Sequence, residues 1–128
     1  MSDYTYRRGD ICWFHDPEPI RDGTYISHGT HPAVIVSSDG NNINNMTVII
    51  APMTSNIQRK LYPGQFDVLL DGTPGRVRCE QLRVVDKSTL EKPIARLSAE
   101  AISKLDSVIA ETLGLNMGTG LVVANAIK

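Results

Sequence analysis

The sequence predicts a mainly β fold, a small half-open β-barrel completed by one C-terminal helix. Short runs rich in Val, Ile and aromatic residues, each bounded by Gly, Pro, Asn or Asp, recur as far as Val85 and read as strands. One amphipathic segment between Ser98 and Gly114 follows them and reads as a helix. Several strands with turn signals and a single late helix, without internal repeats or low-complexity tracts, give the barrel. The 128 residues suit one compact core. Residues 1–114, with the helix at 98–113, are expected to form that domain, and 115–128 a tail whose order the sequence does not decide.

The elements follow in order. Met1 to Tyr6 reads as a loose leader, and Ile11-Cys12-Trp13-Phe14 as the first strand, drawn into the core by its aromatic pair. His15 to Thr30 holds two prolines and two glycines and reads as a long loop, with Arg21, Asp22, Tyr25 and His28 as candidate ligand contacts or a merely solvated surface. Pro32 suits a strand start, where its missing N–H costs nothing. Ala33–Val36 and Val48–Ala51 are then two strands around a polar turn at Asp39-Gly40-Asn41-Asn42. Neither run alternates cleanly, so both faces are expected to be covered. Paired antiparallel, they bring His31, entering the second strand, and Thr54-Ser55, leaving the third, to one end of the sheet.

Asn56 to Gly64 reads as a second flexible loop, carrying Arg59-Lys60, and Phe66–Leu70 as a fourth strand. Asp71-Gly72 with Pro74-Gly75 supplies the next turn, and Val77–Val85 a fifth strand. On that strand Arg78, Glu80 and Leu82 share one face. From spacing alone, Arg78 and Glu80 are better read as a surface ion pair than as a positioned guanidinium at a site. Asp86–Arg96 reads as a linker. Ser98 is the N-cap, Leu97 and Ile102 form a hydrophobic staple, and Ile102, Leu105, Val108, Ile109 and Leu113 line one face before Gly114 stops the helix. The apolar run Leu121–Ala124 is left as strand, interface tail or disorder.

Composition narrows the function. The hydrophobic fraction is 41% and the charged fraction 21%, as in an ordinary globular protein. A net charge of −1, from 13 basic and 14 acidic residues, lacks the basic excess of many nucleic-acid binders, so any polyanion site must be a local patch. Cys12 and Cys79 form no CxxC pair and read as reduced core thiols of a cytoplasmic protein. No apolar run approaches a membrane span, so no membrane partner is expected. His15, His28 and His31 show neither HxH nor HExxH spacing, so no metal site is visible; with no P-loop and no GxGxxG, no cofactor is expected. What remains is acid–base and electrostatic catalysis by His, Arg, Thr, Ser and Glu. Such a set permits cleavage of RNA through its own 2′-hydroxyl, though the same residues stand on many inert surfaces.

Three segments give that chemistry a direction: RRGDICWF at 7–14, GTHPAVIVSS followed by VIIAPMTS, and VRCEQLRVVDKSTL at 77–90, with RLSAEAISKLDSVIAETLGL closing the chain. Together they resemble the MazF/PemK family of toxin ribonucleases from bacterial toxin–antitoxin pairs, over about residues 7–115. The resemblance implies an SH3-like (CcdB/PemK-like) barrel, a homodimer, metal-independent and sequence-specific cleavage of single-stranded mRNA, and inhibition by a cognate antitoxin. It also implies site residues. Where the family usually carries a catalytic Arg before the Pro of the second strand, this chain has His31. The Thr-Ser step is present as Thr54 and Ser55, and Arg78 and Glu80 match the Arg and acidic residue of the PemK branch.

The substitution at 31 has two readings. An imidazole titrating near neutrality serves as proton-transfer group, with Thr54 bonding the phosphate and Arg78 supplying fixed charge. Alternatively, the lost guanidinium removes ~3 kcal/mol of transition-state stabilisation and leaves a degenerate nuclease. In the first reading the loops at 16–30 and 56–64 flank the RNA, and Ser55, Arg59 and Lys60 contact it. Glu80 and Gln81 are then either base readers or ordinary strand-surface residues. The same fold also hosts toxins that bind DNA gyrase without cleaving, a non-catalytic alternative favoured by the missing Arg.

Overall fold

The computed structural model describes residues 4–115 and 124–127. Strands β1 (Asp10–His15), β2 (Thr30–Ile35), β3 (Thr47–Thr54), β4 (Gln65–Leu70), β5 (Thr73–Arg78), β6 (Arg83–Asp86) and β7 (Ala95–Arg96) are joined by helices α1 (Asp39–Asn44) and α2 (Ala99–Leu113). The sheet runs β4-β5-β3-β2-β1-β7, with β6 also on β3. It is a mainly β half-barrel with a C-terminal helix.

Both faces of the central strands are covered. Val34, Ala51, Met53, Phe66 and Val77 pack with Leu105 and Val108 of α2 on one side. Cys12, Phe14, Ile35, Val48, Ile50 and Leu90 form a second cluster on the other. This is why β2 and β3 read as continuous apolar runs rather than alternating ones. The two cysteines are buried, free thiols, and burial pushes each up to about 12.

α2 starts where its caps dictate. The Ser98 hydroxyl accepts from the Ala101 N–H at 3.1 Å, and Gly114 adopts φ +65° at the C-terminal end. Arg8 ties the helix to the sheet. Its backbone N–H donates to Asp39, its Nε to the Val36 carbonyl and its Nη1 to Asp106, at 2.7–2.8 Å.

Four expectations are corrected. The polar stretch at 39–44 is not an open turn but α1, capped by Ser38 and anchored by buried Asn42, which bonds Ser37 through both ends of its amide. The leader is not loose at Tyr6, which is 1% exposed and donates its hydroxyl to the Leu90 and Glu91 carbonyls. Pro74-Gly75 lies inside β5, because Asp71 and Gly72, at φ +51° and +79°, close a two-residue hairpin alone. Residues 86–96 are no free linker: Glu91 and Ile94 donate to Trp13 and Ile11 of β1, and Ala95–Arg96 pairs with it.

The fifth strand is also broken. Cys79–Gln81 forms a 3-10 turn between β5 and β6. Ile50 pairs with Arg83 and Met53 with Val77, so three steps along β3 face six on the other chain. The cause lies at Pro52. Val36 donates to the Ile49 carbonyl, so Ile49 and Ala51 bond toward β2 while Ile50 and Pro52 face β5 and β6. Pro52 has no N–H to offer there, and the facing chain turns away. The 121–124 run falls, except for exposed Ala124, outside the described residues.

Gly9 adopts φ +91°, and a Cβ there would stand 2.4 Å from Ile102 Cδ1. Gly9→Ala should therefore cost about 1–3 kcal/mol by strain and overpacking at the sheet–helix seam. Urea unfolding checks this, and an unchanged midpoint refutes the close approach.

Candidate active site

The β2–β3 register pairs Ala33 with Pro52 and, carried two residues further, sets His31 across from Thr54. Both line a cleft of about 470 Å³ with Arg78 from the end of β5 and Arg59 from the loop between β3 and β4. Residues 24–28 of the long loop form its other wall. The three groups expected to do the chemistry thus meet at one place. A larger cleft, about 810 Å³ between β4 and the first half of α2, contains none of them.

His31 is held on several sides. Its Nδ1 lies 3.1 Å from the Pro32 carbonyl, and its ring meets Phe14 edge-on at 5.4 Å. A carbonyl only accepts, so Nδ1 carries the hydrogen and, in the neutral ring, Nε2 holds the lone pair. That Nε2 is buried and has no hydrogen-bond partner among the described residues. Burial pushes the imidazole below its ordinary pKa; the Pro32 carbonyl and Asp16 oppose this, while Arg83 and His28 reinforce it. Asp16 and Arg83 form an ion pair at 2.9 Å, with the Asp16 side chain 3% exposed and the guanidinium 5.0 Å above the Phe14 ring. Burial raises Asp16, but the Glu18 N–H and Arg83 outweigh it and hold the carboxyl below its usual range.

The Thr54 hydroxyl oxygen accepts from the Asn56 N–H at 3.2 Å, leaving its hydrogen to donate outward. Arg78 does not pair with Glu80. Its Nη1 donates to the Ser27 hydroxyl at 3.0 Å, while Glu80, on the 3-10 turn, accepts from the Gln65 amide. The shared strand face expected for Arg78 and Glu80 does not exist, because β5 ends between them. Gln81 faces the long loop: its Oε1 accepts from the Ser27 N–H at 2.7 Å and its Nε2 donates to the Tyr25 carbonyl at 2.8 Å. Lys60 and Glu80 line an adjoining cleft of about 380 Å³ that shares Thr54, Arg59 and Arg78. Ser55 is exposed beside Thr54 but lines neither cleft.

Sequence reading missed Arg76, which is 5% exposed. It forks onto Asp67 at 2.7 and 3.1 Å and donates to the Arg59 and Ile57 carbonyls, pinning the second loop against the site. The guanidinium holds the Asp67 carboxyl below its usual range. The signal was present in Asp71-Gly72: a two-residue hairpin there pairs Asp67 with Arg76. Asp16, Arg83 and Tyr62 gave no comparable signal.

The open end of the half-barrel thus gathers an imidazole, a hydroxyl and two guanidinium groups in one cleft. Residues 7–113 match the model of the PemK-like, MazF-like toxins of type II toxin–antitoxin systems. The chain is 34% identical over 120 residues to the endoribonuclease MazF9 of Mycobacterium tuberculosis, covering 85% of this chain and 97% of that one. Its fold is that of MazF from Deinococcus radiodurans, with TM-score 0.73, 22% identity, and 88% and 100% of the two chains covered. It is also similar to a mycobacterial endoribonuclease solved in complex with its cognate antitoxin, with TM-score 0.68, 20% identity, and 88% and 99% covered. The protein belongs to the PemK-like, MazF-like toxin family. Among the described residues no helix is long and apolar enough to cross a membrane.

Two outcomes follow. The His31 midpoint in an NMR titration should fall below 6.5. The unfolded chain then takes up the proton first, so His31's stability contribution is complete above the ordinary imidazole pKa and is lost as pH falls from there toward the folded value; His31→Asn should flatten that slope. Separately, Gln81→Ala removes two bonds to the long loop, worth about 1–2 kcal/mol of local opening. Amide exchange at Ser27 should quicken about tenfold or more, with little change in global stability.

Proposed function

We propose that this protein is the toxin of a toxin–antitoxin pair and cleaves single-stranded mRNA at specific sequences, without a metal, through the RNA's own 2′-hydroxyl. The convergence of His31, Thr54 and Arg78 on one cleft carries this reading, and the 34% identity to an endoribonuclease supports it. His31 Nε2 takes the 2′-hydroxyl proton as the 2′-oxygen attacks phosphorus. Thr54 donates to a non-bridging phosphate oxygen, and Arg78 offsets the charge gathering on the phosphorane. The P–O5′ bond then breaks, leaving a 2′,3′-cyclic phosphate, and His28 on the loop wall returns a proton to the 5′-oxygen. Because Nε2 is covered and Arg78 and Gln81 hold the loop at residues 25–27, the loop shifts when RNA enters. Ser55, Arg59 and Lys60 follow the backbone on either side. In this reading the protein acts in the cytoplasm as a homodimer, and a cognate antitoxin, like the one bound to the mycobacterial relative, occludes the groove.

A fluorescent RNA–DNA chimera incubated with EDTA tests this. Cleavage to a 2′,3′-cyclic phosphate is expected, and an intact substrate together with gyrase inhibition overturns it. His31→Ala should lower the rate about 10²–10⁴-fold and Arg78→Ala about 10²–10³-fold, without unfolding the protein. Since the base must be neutral, the limb of kcat/KM that falls toward acid pH should lie below the ordinary imidazole pKa. Full activity in His31→Ala removes it from the mechanism.

A further inference from the structure

We infer that Asp16 and Arg83 are positioning residues for His31: their ion pair rests on the same Phe14 ring that His31 packs against, and holds the imidazole with Nε2 as an acceptor unpartnered among the described residues. The inference rests on the ribonuclease reading for what that acceptor does. It adds two residues that touch no substrate and yet govern how the base works.

The pair is anchored on two sides. Asp16 stands at the base of the long loop, where its N–H donates to the Gly29 carbonyl at 3.3 Å. Each of its carboxylate oxygens has its own donor, the Glu18 N–H at 3.0 Å and Arg83 Nη1 at 2.9 Å, and the side chain is only 3% exposed. Arg83 opens β6 and pairs with Ile50 of β3, so the ion pair ties the loop to the buried centre of the sheet. Phe14 carries this order to His31. Its ring is fully buried, with the Arg83 guanidinium 5.0 Å and the His31 ring 5.4 Å from its centroid, and its Cα faces that of His31 across β1 and β2. With Nδ1 committed to the Pro32 carbonyl, any turn of the imidazole carries Nε2 away. Phe14 blocks that turn, and the cation above it holds Phe14.

Stability alone does not account for the pair. Taking the two ions out of water offsets their attraction, so well-packed apolar side chains would hold the loop as well. The ion pair differs from them in setting two opposite charges beside an imidazole. The charged and titratable groups around His31 are Asp16 and His28 from the long loop, Arg83 from β6, and Arg59 and Arg78 on the cleft. Asp16 supplies the negative charge of this set. Unopposed, it would draw a proton onto the imidazole and turn the base into an acid. Arg83 offsets it, and burial then keeps the ring neutral.

Two measurements test this: NMR titration of His31, whose signal is the one lost in His31→Asn, and the pH profile of kcat/KM on the RNA–DNA chimera. Arg83→Gln leaves Asp16 unopposed and should raise the His31 midpoint, moving the acid limb of kcat/KM to higher pH. Asp16→Asn leaves Arg83 unopposed and should lower both. The double variant, neutral at both positions, should bring the midpoint back toward the wild-type value. It should still lose about tenfold or more in kcat with KM little changed, because the ring is no longer held. A pair that served stability alone would lower the unfolding midpoint and leave the limb in place. If Arg83→Gln does not fold, the fall in midpoint in Asp16→Asn decides. If the single variants keep the wild-type midpoint, or move it the same way, the inference falls and the ribonuclease reading stands. The titration needs no RNA: a wild type that cuts nothing overturns the ribonuclease reading, while opposite movements of the midpoint still uphold the pair's hold on His31.

Discussion

The structure depends on β3 being buried on both faces and paired along both edges. Val48 and Ile50 enter one cluster and Ala51 and Met53 the other, each at most 2% exposed. Burying a Val or Ile side chain contributes about 1.5–3 kcal/mol, so the strand's position is not negotiable. Pro52 sits in the middle of this strand and leaves a gap in the ladder on one edge. Across that gap the facing segment between β5 and β6 forms its 3-10 turn, which carries Glu80 and Gln81. A packing requirement and a missing N–H thus decide where two polar side chains of the site point. β3 ends at Thr54, across from His31 near the start of β2, so the rigid centre of the sheet also fixes the groups proposed to react.

Around this frame two loops are held by side chains, one that sequence reading missed and two that it assigned to other work. Arg76 holds residues 57–59, and Arg78 and Gln81 hold residues 25–27. The described state is therefore one in which the long loop occupies donors that a substrate would want. His31 Nε2 beneath it is left without a partner, at a cost of about 1–3 kcal/mol for a buried polar atom. In the proposed reaction the 2′-hydroxyl is the donor that satisfies it.

The sequence made the apolar framework and the caps of α2 legible because they follow from local rules. Ser98, Leu97, Ile102 and Gly114 announce a helix whatever surrounds it. The pairing of His31 with Thr54 also followed from strand order. The break at 79–81 was not legible, since VRCEQLRVV carries strand propensity throughout and the interruption comes from Pro52, on a different strand. α1 was hidden by its composition: Asp, Gly and Asn favour turns, and only the cap at Ser38 and the burial of Asn42 make five such residues and Ile43 helical. Arg76 was lost through a two-residue error in the hairpin, which concealed its partner Asp67. Side chains whose roles depend on register are read no better than the register itself.

Electrostatics explain why base contacts matter on this protein. With a net charge of −1 the chain offers RNA no long-range attraction beyond a Debye length of about 8–10 Å. The cations lining the clefts and not locked in an ion pair are Arg59, Lys60 and Arg78, too few for phosphate contacts alone to give tight binding at physiological salt. Under the proposed function, stacking on the exposed Tyr25 and Tyr62 would then supply much of the affinity, and it acts only on unpaired bases. A nearly neutral surface with a small cationic cleft is thus selective by construction: a polyanion that presents no free base gains little from it. The same reasoning explains an imidazole at position 31. In the proposed mechanism a guanidinium there would add permanent charge, whereas a half-buried histidine adds a proton acceptor, and the electrostatic work passes to Arg78.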